Sequence, residues 1–285
     1  MKISINNGQV FDRYGYKEGL KLLKNAGFTC CDYTFFGSAK TAYNSLFSGD
    51  DYLEVAAEIK KCADEAGVCF NQAHAPFPSS IEGDEKKTEE IFVTIARSIE
   101  AAGVLGAKCI VVHPMRFSDY GTHYEENMAF YKRLIPYAQK AGVKIGVENM
   151  WGYDNKRGHT RADALASANE LKKFVSELGE WAVVCLDLGH SNLSGFEAAD
   201  EIRLLGKDLF ALHVHDTNYK EDWHQLPYQG NHDWEDICKA LKEVGYKGEF
   251  TLEVNRFLHL IPDGLFESSL KYMAEVAKYL ANKSE

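Results

Sequence analysis

DDYLEVAAEIKKCADEAGVCFNQAH, residues 50–74, holds one complete helix–strand unit. Apolar residues at 52, 53, 56, 59 and 63 fall on one face of a helix, and Gly67 supplies its stop. VCFNQAH (68–74) follows at once, a short apolar run that ends on His74. The same alternation repeats on both sides. Upstream lie KISIN (2–6) and FTCCDYTF (28–35). Downstream lie KCIVVHP (108–114), KIGVEN (144–149), AVVCLD (182–187), LFALHVHD (209–216) and EFTLEV (249–254). Amphipathic stretches separate them, among them residues 87–106, 234–248 and 265–280, with Gly at many junctions.

Apolar strand runs imply burial on both faces, which parallel sheets require. Eight strand–helix units in one chain favour closure into a ring over an open sheet, and no glycine-rich dinucleotide fingerprint follows the first strand. A closed barrel needs about 250 residues, and the chain has 285. The expectation is an α/β fold, a (β/α)8 TIM barrel, formed as a single domain over residues 1–285.

Such barrels carry function at the C-terminal ends of their strands. Six of the eight runs end on or carry a metal ligand or general base there: His74, His113, Glu148, Asp187, His213 and Glu253. Asp32 sits slightly earlier in the second run. Charged side chains are rarely buried unless paired or metal-bound. Three carboxylates converging without a counter-ion would raise one another's pKa, and a divalent cation resolves that conflict. The sequence therefore predicts one metal site from Glu148, Asp187, His213 and Glu253. Three carboxylates and one imidazole suit Mn²⁺ best and tolerate Mg²⁺, Co²⁺ or Zn²⁺.

Bulk properties narrow the partners. Formal net charge is −10, from 32 basic and 42 acidic residues, with no basic block of five or more. The electrostatic footprint of a nucleic-acid surface is missing. MKISINNGQV at the N-terminus lacks the apolar core of a signal peptide, and no apolar run approaches the ~20 residues of a membrane span. Seven cysteines without C-x-x-C spacing predict free thiols in a reducing compartment, so a cytoplasmic location is expected.

VVHP, GVEN, CLDLGH, LHVHD, DWHQLPYQGNHDW and TLEV together resemble the xylose-isomerase-like TIM-barrel superfamily over nearly the whole chain. That superfamily contains sugar isomerases, ketose 3-epimerases, inosose dehydratases and the endonuclease IV family. The resemblance implies a metal-dependent sugar isomerase or epimerase that removes a proton next to a carbonyl and passes through an enediolate. Glu148 and Glu253 would be both ligands and proton movers. His190, with His74, His113, Asp154, Asp222, His224 and Trp151, would bind a small sugar or polyol-type substrate. Phe35, Trp151 and Tyr219 would wall the pocket. In the ketose epimerase branch an Arg stands near the position of Tyr219. A sugar lyase or dehydratase uses closely related chemistry. The endonuclease IV branch takes nine ligands for three zinc ions, and His74, His113, Glu148, Asp187, His190, His213, Asp222, His224 and Glu253 match all nine in type. The wording around His190, and His215, Thr217 and Asn218 after His213, departs from the nuclease motifs. The resemblance also leaves room for a homo-oligomer.

Overall fold

Each expected strand run forms a parallel strand. In the computed structural model, which describes residues 1–35, 47–118, 121 and 123–285, these are β1 (Ile3–Ile5), β2 (Cys30–Thr34), β3 (Cys69–His74), β4 (Cys109–Val112), β5 (Lys144–Glu148), β8 (Ala182–Asp187), β9 (Leu209–His213) and β10 (Phe250–Leu252). A further pair, β6 (Trp151–Asp154) and β7 (His159–Ala162), lies between β5 and β8 in sequence. Strands β2, β3, β4, β5, β8 and β9 pair in that order, and β1 pairs with β10. Two parallel bridges join these sheets, Asn6 with Asp32 and Val214 with Leu252. The ring is thereby closed into a (β/α)8 barrel.

Helices cover the outside of the ring. The decisive stretch forms α2 (Tyr52–Ala66), following α1 (Gly8–Ala26) in the chain. Ala56, Ile59 and Ala63 of α2 are buried, while Leu53 turns outward. Gly67 ends the helix at φ 71°, and its N–H returns to Ala63 and Asp64 carbonyls. That left-handed conformation is cheap only for glycine. Fully burying a side chain such as Ile59 contributes about 1.5–3 kcal/mol relative to exposure, so α2 is held by its inner face more than by propensity. Helix α3 (Glu85–Leu105) starts on an Asp84 side-chain cap to the Lys87 N–H, and α4 (Tyr124–Ala141) follows before β5. A Ser167–Glu170 capping box opens α5 (Ala168–Leu178). The remaining helices are α6 (Leu188–Leu193), α7 (Ala198–Leu205), α8 (Trp234–Val244), α9 (Asn255–His259) and α10 (Asp263–Lys283). No helix among the described residues is long and apolar enough to cross a membrane.

Two features lie outside the sequence pattern. The hairpin β6–β7 was not anticipated, because WGYDNKRGHTRA contains no apolar run. It pairs antiparallel, Trp151 opposite Ala162 and Asp154 opposite His159. Cys30 and Cys69 are register partners on β2 and β3, with Cα atoms 4.5 Å apart, which brings their side chains together. Cys31, Cys62, Cys109, Cys185 and Cys238 remain free.

Candidate metal centre

Four side chains meet where β5, β8, β9 and β10 end. Glu148 is the last residue of β5, Asp187 of β8 and His213 of β9, and Glu253 follows β10 directly. One donor atom from each lies within 4.8 Å of the others, and all four residues are buried. His213 Nδ1 lies 2.8 Å from Glu148 Oε1 and 3.3 Å from Glu253 Oε2. Among the described residues, the three carboxylates pair with histidines and with no lysine or arginine. A buried trio of carboxylates without a strong cation fits the donor set of a divalent ion.

Local folding sets the direction of the Asp187 side chain. Asp187 caps α6, accepting the His190 N–H at 2.7 Å through Oδ1. His215 Nε2 reaches the two Asp187 oxygens at 3.0 and 3.1 Å. A Cβ at Gly189 would lie 2.0 Å from the His215 ring, so only glycine admits that imidazole. Asn149 locks the start of the same turn: its side-chain carbonyl accepts the Asp187 N–H at 2.7 Å, and its amide donates to the Asp187 carbonyl at 3.0 Å.

Besides the group of Asp32, His74 and His213, two further candidate groups adjoin the first. His74, His113 and Glu148 form one. His113 Nε2 is 2.7 Å from Glu148 Oε2, and the His74 and His113 Nε2 atoms are 3.1 Å apart. His190, Asp222 and His224 form the other. Asp222 lies 3.0 Å from His224 Nε2 and 3.5 Å from His190 Nε2, while His224 Nδ1 lies 2.9 Å from the Glu253 carbonyl oxygen.

The electrostatics follow from this crowding. Burial alone would raise the Glu148 pKa, but His213 and His113 outweigh it and hold the carboxyl well below its usual range. Asp187 is lowered in the same way, burial being overcome by His190 and His215. Burial disfavours a charged His224, yet Asp222 raises its pKa to about 10. His74 is driven the other way, well below the ordinary histidine value, by burial and then by His113 and His213. Asp32, fully buried under the site, is pushed up to about 7 chiefly by burial, with His213 pulling against it.

A cavity of about 340 Å³ opens over these groups. Glu148, Glu253, His74, His113, His190, Asp222, His224 and Trp151 all line it, so the barrel brings together most of the sequence-derived set. Asp154 is a correction: it does not line the cavity. Its Oδ1 accepts the Lys156 and Arg157 N–H groups at 2.9 and 3.0 Å, and so builds the β6–β7 turn. Phe35 is also not a wall, being fully buried against Tyr33 and Phe47. Tyr219 is exposed and donates its hydroxyl to the Asn231 carbonyl at 3.0 Å. Sequence reasoning missed Phe77, Arg116 and Asn255, which do line the cavity. Arg116 sits on the loop after β4 and donates to the Trp151 carbonyl at 2.9 Å. No strand periodicity marks a loop residue.

The profile of the xylose isomerase-like TIM barrel family matches residues 20–276. The chain belongs to that family. Its curated relatives include the uncharacterised protein MJ1311 of Methanocaldococcus jannaschii, 28% identical over 191 residues. That match covers 63% of this chain and 62% of the relative, less than two thirds of its length. The D-psicose 3-epimerase of Ruminiclostridium cellulolyticum is 25% identical over 228 residues, covering 72% of this chain and 74% of that protein. Among solved structures, a D-tagatose 3-epimerase-like protein superposes over 100% of both chains with a TM-score of 0.72 and 20% identity. Likeness at that identity speaks for the shared barrel. Within this family fold, the strand-end side chains described above occupy the face where barrel sites lie.

Proposed function

We propose that this protein is a divalent-metal-dependent sugar isomerase or epimerase, working as a single cytoplasmic domain on a small sugar or polyol-type carbonyl compound. The observation that carries the reading is the convergence of Glu148, Asp187, His213 and Glu253 beneath an open cavity. Those residues would hold the ion, with Mn²⁺ the best match to the donors and Mg²⁺, Co²⁺ or Zn²⁺ tolerated. When bound, the ion supplies Lewis-acid stabilisation of negative charge developing on a carbonyl oxygen.

The chain's own groups would move the proton. Glu253 lines the cavity and its nearest side-chain contacts are long, 3.3 Å to His213 and 3.6 Å to His74. Glu148 is gripped at 2.8 and 2.7 Å by His213 and His113. Glu253 thus keeps the freer lone pair and is the better candidate to take the carbon-bound proton. Glu148 would return it, or protonate the opposite face. His190 would hold a substrate hydroxyl, and Trp151 would shield one side. Loss of a neighbouring hydroxyl in place of reprotonation would make the same site a lyase. The test is a panel of ketoses, inososes and oxidised glycosides incubated with Mn²⁺ in deuterated water. Deuterium should enter at the carbon next to the carbonyl of at least one compound. No incorporation across the panel would count against the proposal.

One observation favours a second reading. The groups His74/His113/Glu148 and His190/Asp222/His224 flank the first, a set that suits several ions around a phosphodiester. This reading makes the protein an abasic-site nuclease with three zinc ions. Net charge −10 argues against it, since phosphate contacts dominate nucleic-acid affinity. Binding to abasic duplex at physiological salt should be weak and without backbone scission. Stoichiometric, salt-resistant binding with cleavage at the abasic site would replace the isomerase reading with the nuclease.

A further inference from the structure

Asp32 is a fully buried carboxyl inside the barrel, below the cavity. The bridge between Asn6 and Asp32 fixes its backbone, and the Asn6 amide donates to its Oδ2 at 3.3 Å. Keeping an acid there is costly unless it has partners.

Its neighbours are two imidazoles. His74 and His213 stack with ring centroids 4.9 Å apart and planes 22° from parallel. Each ring points one nitrogen toward the strand-end carboxylates: His213 Nδ1 to Glu148, His74 Nε2 toward His113 and Glu148. Each points the other at the same acid. His213 Nε2 is 3.9 Å and His74 Nδ1 4.0 Å from Asp32 Oδ2. Among the described residues, His213 Nε2 meets no partner within hydrogen-bond distance, although the Cys185 thiol interacts with the same ring. Cys185 is buried, and a neutral thiol is only a weak acceptor for an imidazole N–H.

We infer that Asp32 is the positioning residue that accepts the Nε2–H of His213, fixing the tautomer in which Nδ1 offers its lone pair to the metal centre. The inference rests on the metal-centre reading above. A ligating histidine usually donates its other ring N–H to a carboxylate or carbonyl, which sets both tautomer and ring orientation. A movement of about 1 Å brings the present spacing to hydrogen-bond length. His74 Nδ1 also lies 3.6 Å from Glu253 Oε1, so Asp32 and Glu253 would share that ring.

The test compares wild type with Asp32→Asn, which is nearly isosteric, and with Asp32→Ala. Zn²⁺ and Mn²⁺ affinities are measured by calorimetry, and ring nitrogens are observed by ¹⁵N NMR on zinc-loaded, histidine-labelled protein. Wild type should show a protonated His213 Nε2 with a downfield proton. Both variants should bind the ion roughly 10- to 100-fold more weakly, and the Nε2 proton should move upfield. Their metal-free melting temperatures should not fall in parallel, as they would if Asp32 only supported packing. If wild type binds the ion and Asp32→Asn binds it equally well with the same Nε2–H signal, Asp32 has no positioning role and the metal centre stands. If wild type binds no ion, this inference and the reading beneath it both fall.

Discussion

Glu253→Gln should fold, retain part of its metal affinity and turn over substrate roughly 100-fold more slowly or worse, the usual cost of removing a general base. The amide keeps the size and one donor oxygen of the carboxylate but has no basic lone pair for a carbon-bound proton. The loss should appear in kcat rather than KM, because proton abstraction belongs to the transition state. Glu148→Gln should behave differently. Glu148 bridges His213 at 2.8 Å and His113 at 2.7 Å, so the amide also leaves a histidine facing an N–H donor. Metal affinity should fall together with kcat there. Comparing kcat and metal content in the two variants checks the division of labour. A Glu253→Gln enzyme with wild-type turnover would reduce Glu253 to a ligand.

Stripping the ion should have the second largest effect. An ion that binds only the folded state stabilises it by mass action, about 2.7 kcal/mol when free metal is a hundred times Kd. For a chain of this size that is a shift in Tm of roughly 5 °C. Chelation should lower Tm by that order, and readdition of Mn²⁺ should restore it. In Asp187→Ala the response should vanish. This substitution removes a buried donor and also the acceptor of His190 N–H and His215 Nε2. Thermal unfolding with and without chelator checks both expectations. An identical Tm in wild type under the two conditions would contradict a resident ion in the folded chain.

The barrel and the strand-end positions of its candidate ligands were legible for the same reason. An apolar run that ends abruptly in Glu, Asp or His marks a strand leaving the core at the mouth, and Glu148, Asp187, His213 and Glu253 all carry that pattern. Gly67 could be read as a helix stop because few other residues accept its φ. What was not legible depends on register and on which way a side chain turns. Asp154 follows GVENMW and looks like one more acid at the rim, yet the β6–β7 turn consumes its Oδ1 on two backbone N–H groups. Cys30 and Cys69 are 39 residues apart, and only the pairing of β2 with β3 brings them together. Asp32 stands beside a register shift between Cys31 and Asp32, so simple alternation cannot assign its direction. His215 resembles a second ligand two residues beyond His213. Its role as the partner of Asp187 depends on the space left by Gly189.

An anomalous-scattering map from crystals soaked in Mn²⁺ and, separately, in Zn²⁺ would locate and count the ions directly. One strong peak should appear among the Glu148, Asp187, His213 and Glu253 side chains with either metal. Absence of a peak there, or three peaks a few ångströms apart with one held by His190, Asp222 and His224, would overturn the one-ion site.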